Sequence, residues 1–169
     1  VNFNKAYDYL YDARAKLFDW IRPLSQEQYT QQFPIGLRTL RATMLEIAAG
    51  EWSYGRRIEG HVDPAPDRSE WPISEQRLPT FADLERAWGP QAAKTRAILS
   101  GVTDWDTPFE YRSKRGEEIM RFMGSRADIA MQMCFHEVHH RAQAMAMLRQ
   151  LGVNAQNLDY SVIKIRRLQ

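Results

Sequence analysis

Apolar residues recur at helical spacing in four stretches of the chain, and breakers separate the stretches. Phe3, Tyr7, Leu10, Leu17 and Ile21 predict a first helix that Pro23 stops. Residues 24–36 are polar, with Pro34 and Gly36 near their end, and predict a loop. Leu40, Ile47, Tyr54 and Ile58 mark one side of a second helix running from about Leu37 to Ile58, with Gly60 as its stop signal. Thr80, with Asp83 three residues on, caps a third helix that continues through Leu84, Trp88 and Leu99 to Gly101. The Gly89-Pro90 pair inside it predicts a kink or a short break. Ser125 and Asp128 cap a fourth helix that reaches about Gly152.

The connections differ in character. Residues 59–79 hold Pro64, Pro66, Pro72 and Pro79 and no sustained period, a length that suits a lid or binding loop as well as mere linkage. Between Val102 and Gly124 the alternation in Phe109-Glu-Tyr-Arg-Ser, a turn at Lys114-Arg-Gly116 and a return segment predict a small hairpin. The tail passes through a loop at 154–159 into a basic segment around Ile163 that either docks or frays. The pattern as a whole implies an all-α fold, a four-helix bundle with long connections and a small hairpin between its third and fourth helices, in one domain over residues 1–169.

Composition narrows the function classes. With 169 residues, 44% apolar and a net charge of +2, the chain can bury a sizeable core and has no clustered basic face for nucleic acid. Cys134 is the only cysteine, which excludes an internal disulfide and a multi-cysteine zinc site. No run is long enough for a membrane span and no signal-peptide layout opens the chain, so the expected location is cytoplasmic.

The fourth helix carries the candidate chemistry. It contains His136, His139 and His140, and the only other histidine is His61. His136 and His140 lie about 40° apart on a stripe shared with Ile129, Met133, Met147 and Leu151, so both rings are expected to face the core. Two imidazoles at i and i+4 can converge on one metal ion, or they can be core histidines bonded to buried partners. His139 lies on the other flank and is a boundary residue. The letters also match H-E-x-x-H, the signature of zinc peptidases with Glu137 as base, but no glutamate follows Glu137 to act as a downstream ligand. Glu46, on the second helix, falls on a flank made of Thr39, Thr43, Gly50 and Ser53, where a solvated glutamate is the ordinary reading. Cys134, Val138 and Met145 form a second apolar stripe opposite the histidines, which predicts a cover: a second copy, making a homodimer, or else the hairpin or tail of the same chain.

Two segments together resemble the DinB-like (DinB/YfiT-type) family of bacterial metal-binding four-helix bundles. One is His136-x-x-x-His140-Arg141-Ala-Gln143 with Leu148-Arg-Gln-Leu-Gly152, and the other is Leu40-Arg-Ala-Thr-Met-Leu-Glu46-Ile-Ala-Ala-Gly-Glu51-Trp52. The resemblance implies that His136 and His140 are metal ligands. Where the family usually has a histidine in the second helix this chain has Glu46, which the resemblance makes the third ligand, with Gln143 and Arg141 supporting the ligands. Such a set suits one divalent ion, zinc, nickel, iron or manganese. Relatives of this kind include metal-dependent thiol S-transferases and thiol-dependent isomerases. The implied function is therefore a metal-dependent enzyme that transfers a low-molecular-weight thiol to an electrophile. The alternative is a non-catalytic metal- or ligand-binding stress protein, with a zinc peptidase third.

Overall fold

The computed structural model describes residues 1–166 and 168, with Arg115 by its backbone. The molecule is mostly helical. Four long helices dominate: α1 (Phe3–Ile21), α3 (Leu40–Glu59), α4 (Phe81–Gly101) and α5 (Arg126–Gln150). Two short ones, α2 (Gln26–Thr30) and α6 (Tyr160–Lys164), flank them, and the strands β1 (Phe109–Arg115) and β2 (Glu118–Gly124) form an antiparallel hairpin between α4 and α5. Helix α3 packs against both α4 and α5, and α1 closes the ring by packing against the same two. Inside lie Tyr7, Leu10, Leu17, Ile21, Leu40, Met44, Ile47, Leu84, Trp88, Met147 and Leu148, all essentially without solvent contact. No helix among the described residues is long and apolar enough to cross a membrane.

Helix starts follow local chemistry. Asn2, Ser25, Thr39, Thr80 and Ser125 each accept a backbone N–H of the first turn, and at Ser25, Thr80 and Ser125 the residue three positions on returns the bond. Each such cap contributes about 1 kcal/mol. The Ser25 box explains why residues 24–36 are not simply a loop. It nucleates α2, which buries Tyr29 edge-on against Phe81 with 5.7 Å between ring centroids. Helix α3 begins at Leu40 rather than near Leu37, because Arg38 lies in the left-handed region at φ 71° and Thr39 is the cap. Gly60, at φ 107°, ends it as expected. Helix α4 runs unbroken through Pro90, so the short break does not occur. Arg86, Gly89 and Pro90 are all exposed, which lets water take the carbonyl that Pro90 leaves without a donor.

The long connection is fastened across α3. Trp71 packs on Trp52 with centroids 4.7 Å apart, and its indole N–H donates to the Pro66 carbonyl at 2.8 Å. Arg41 pairs with Glu75 at 2.6 Å. The buried Arg57 guanidinium donates to the carbonyls of His61 and Asp63, each at 2.7 Å, and at 2.5 Å to that of Arg112 in β1. One cation therefore ties the connection and the hairpin to α3. The tail docks: Tyr9 donates to the Leu158 carbonyl at 2.9 Å, and Lys164 pairs with Asp12 at 2.5 Å. The rest of the basic segment, at Arg167 and Gln169, lies outside the described residues.

Candidate metal centre

Helix α5 brings His136 and His140 to its seam with α3. Ile129, Met133 and Met147 of the same stripe are buried, whereas the two imidazoles stop at the edge of the core and are half-buried. Their ring centroids are 4.5 Å apart at 70°. From α3, Glu46 places Oε1 3.5 Å from His136 Nε2. One candidate ligand atom from each of Glu46, His136 and His140 lies within 4.8 Å of the others. Donors sharing one ion at bond lengths of about 2.0–2.2 Å are about 3–3.5 Å apart, so small side-chain rotations close the set.

Neighbouring groups prepare these donors. Gln143 Oε1 lies 2.9 Å from His140 Nδ1, and Gln143 Nε2 lies 3.0 Å from His139 Nε2. The amide oxygen can only accept, so His140 carries its proton on Nδ1 and presents the lone pair of Nε2. His139 then accepts from the amide, which makes it a support for Gln143 rather than a fourth ligand. Burial keeps the His140 pKa below that of an ordinary imidazole, a shift that Gln143 opposes and His136 reinforces. Glu46 is held as a carboxylate, with its pKa lowered to about 2, first by the hydrogen bond to His136 and then by Arg68. Arg68, on a 3-10 turn at Arg68–Glu70 in the long connection, pairs with Glu46 Oε2. A neutral imidazole, a second imidazole and an ionised carboxylate form a donor set that fits a divalent ion.

Two glycines make the room. A Cβ on Gly50, one turn along α3 from Glu46, would stand 2.6 Å from His136 Cε1. A Cβ on Gly36 would stand 2.5 Å from Gln143 Cδ, and φ there is +45°. Tyr54, one further turn along α3, sets its ring edge-on to His136 at 5.5 Å.

Other candidates go elsewhere. Glu137 points into the core, where it takes Arg14 Nε at 3.3 Å and Arg14 Nη2 at 2.5 Å. The same Arg14 Nη2 reaches Glu51 Oε2 at 2.7 Å, and Glu51 also accepts from Tyr7 and Thr95 at 2.7 Å and from Trp88 at 2.9 Å. A carboxylate consumed by a buried ion pair is not available as a peptidase base. Arg141 does not support the ligands either. It is buried, donates to the Tyr9 hydroxyl and lies 3.9 Å from Glu137. His61 is in the long connection beside Glu59, not at the cluster. The sequence contained a signal for Arg14 that helical spacing alone could have found: it fills the gap between Leu10 and Leu17 on the buried stripe of α1. Gly36, Gly50 and Arg68 had no such signal, since their roles arise only where separate elements meet.

A mostly helical protein with a carboxylate and two imidazoles gathered between two long helices is thus defined as a candidate metal binder. The DinB family profile matches residues 1–166, and the chain belongs to the DinB family. No curated protein matches it.

Proposed function

We propose that this DinB-family chain is a four-helix bundle holding one divalent metal ion through Glu46, His136 and His140, and that it transfers a low-molecular-weight thiol to an electrophile. The observation that carries the reading is the convergence of these three donors with Gln143 setting the His140 tautomer. Zinc, nickel, iron and manganese all suit the donors. A divalent ion with open positions favours the thiolate form of a thiol bound to it. The chain's own residues supply the rest. Glu46 offers a charged oxygen, Gln143 keeps Nε2 of His140 free, Gly50 admits the His136 ring, and Arg68 holds the long connection against the site.

The test mixes metal-loaded protein with a panel of cellular thiols and a chromogenic aryl halide or an epoxide, beside His140→Ala. A thiol-dependent rate above the variant is expected. If no thiol gives one, and none alters the visible spectrum of the cobalt-substituted protein, the transferase reading fails. The second reading, a non-catalytic metal- or ligand-binding stress protein, is favoured by one feature: Arg68 already compensates the charge of Glu46 without any ion.

A homodimer belongs to the same proposal, on a modified face. Met145 is only 8% exposed and Cys134 is partly buried, so the stripe of Cys134, Val138 and Met145 is not an outer surface. Phe135, at 61%, and Val138, at 41%, are exposed. With Met131 and Ala142 they repeat at intervals of four, three and four, the seam spacing by which a helix packs on its own copy across a twofold axis. Light scattering of the wild type and of Phe135→Glu is expected to give dimer and monomer masses respectively. A monomer mass for the wild type at micromolar concentration removes this part of the proposal.

A further inference from the structure

Two cavities meet over one stretch of α3 next to the metal centre. The first, about 390 Å³, lies beneath the hairpin, between α3 and α5. The second, about 450 Å³, lies between the hairpin and the long connection. Ser53, Arg57 and Ser113 line both, so they are two lobes of one groove. Each is of the size that takes a small molecule. Each also has one lining residue in contact with a candidate ligand: Tyr54 stands edge-on to His136, and Arg68 pairs with Glu46.

The lobes differ in chemistry. The second is charged, with Asp67, Arg68, Lys114 and Glu117 in its lining. The first is walled by Tyr54, Tyr111, Phe122 and Met123. Tyr111 and Phe122 face each other across the strands and stack, with centroids 5.4 Å apart at 19°, so a flat aromatic wall exists before any ligand arrives. Two charged residues of opposite sign also line this lobe, and much of the hydrogen-bonding capacity of each is already taken. Arg57 gives three of its five N–H protons to backbone carbonyls and lies 5.1 Å over the Tyr111 ring, and Asp128 caps α5 by accepting from the Ser125 backbone at 2.8 Å and its hydroxyl at 2.7 Å. The neutral polar groups in the lining include the Ser53 and Ser113 hydroxyls, the Tyr54 phenol and the Gln132 amide. The last two are joined only by a 3.4 Å contact, long for a hydrogen bond and easily exchanged for a ligand oxygen.

We propose that the lobe beneath the hairpin binds a neutral, flat, largely aromatic molecule bearing a hydrogen-bonding oxygen. Resting on the thiol-transfer reading, this molecule is the acceptor of the thiol as an epoxide: the thiolate sulfur bonds to a carbon of the epoxide ring, that carbon's C–O bond breaks, and the oxygen takes up the proton the thiol gave, while the charged lobe takes the charged part of the thiol compound. A reaction between an apolar acceptor and an ionic donor needs two unlike seats beside the metal centre, and the groove provides two on either side of Ser53 and Arg57, each with one lining residue in contact with a candidate ligand. Charged molecules are disfavoured in the aromatic lobe, because they would lose water there while Arg57 and Asp128, of opposite sign, leave its lining without net charge.

The test measures binding on the metal-free full chain without any thiol, so that it stands apart from the activity assay. The probe is 4-fluoroacetophenone, neutral with one carbonyl, followed by fluorine NMR, and 4-fluorobenzoate is its charged counterpart. Saturable binding of the ketone is expected, with the benzoate weaker by about tenfold or more. Phe122→Ala and Met123→Glu are each expected to weaken the ketone by about tenfold, and Lys114→Ala, in the other lobe, by less than about twofold. Met123 is 69% exposed, so its replacement spares the fold even if Phe122→Ala loosens the hairpin. Equal binding of ketone and benzoate, or ketone binding unchanged by both aromatic-lobe variants, overturns the assignment. If thiol transfer is observed and the ketone does not bind saturably, the lobe is wrongly assigned and the transfer reading stands. If the ketone binds as expected and no transfer occurs, the lobe stands as a ligand site and the transfer reading falls.

Discussion

A side chain at residue 50 and the ring of His136 cannot coexist as they stand: a Cβ on Gly50 would come within 2.6 Å of Cε1 and 2.8 Å of Nδ1. Glycine in a helix interior ordinarily costs about 1 kcal/mol relative to alanine, so propensity argues against it at this position. Gly50→Ala is therefore expected to displace the imidazole and weaken zinc binding by about tenfold or more, one ligand being misplaced. Competition titration against a chromophoric chelator measures this. Undiminished affinity would mean that His136 does not bind the ion from this position.

The donors themselves give a graded series. His136→Ala and His140→Ala each leave two ligands and are expected to lose stoichiometric metal on dialysis against a weak chelator. His139→Ala is expected to keep it. Glu46→Gln retains an oxygen without the charge and should weaken binding rather than abolish it. Gln143→Leu removes the acceptor of the His140 proton, with an expected loss of about 10–100-fold in affinity. Metal analysis of all five variants in parallel is the check, and a Gln143→Leu protein with wild-type affinity would remove the proposed tautomer control.

The buried charges around Arg14 predict a stability effect separate from metal. Arg14→Met leaves the buried carboxylates of Glu51 and Glu137 with only Arg141, 3.9 Å from Glu137, as a nearby cation, which is expected to cost roughly 3–5 kcal/mol in urea unfolding. Glu137→Gln is expected to lower stability while leaving metal content unchanged. A variant of full stability that retained metal and had lost a hydrolytic activity would instead point back to the peptidase reading.

The surroundings of Cys134 favour its protonated thiol. Burial pushes its thiol up to about 11, with Glu137 adding to the rise. At pH 7.5 its alkylation by iodoacetamide is expected to be at least about tenfold slower than that of free cysteine, because the thiolate is the reactive form. The rate should climb towards pH 11 and reach the free value in urea. Rapid labelling of the native protein at neutral pH would contradict the assigned environment.

Helical periodicity and caps were enough to place the four long helices, since each depends on residues within a few positions of one another. The Thr80 and Ser125 boxes and Gly60 act where the sequence has them, and the hairpin forms from its local alternation. The i and i+4 spacing likewise put His136 and His140 on one face of α5 before any neighbour was known. What lies opposite that face was not local information. Glu46 is about 100° from Ile47, so the same periodicity allows a solvated side chain or a ligand. Only the packing of α3 on α5 sets it 3.5 Å from His136. The same holds for Arg68, which reaches Glu46 from 22 positions further along, and for Glu137, which Arg14 claims from the other side of the core. A residue's own helix determines which way it points. What meets it there depends on how distant segments pack, and that packing turned a flank glutamate into a candidate ligand and a peptidase-like base into half of a buried ion pair.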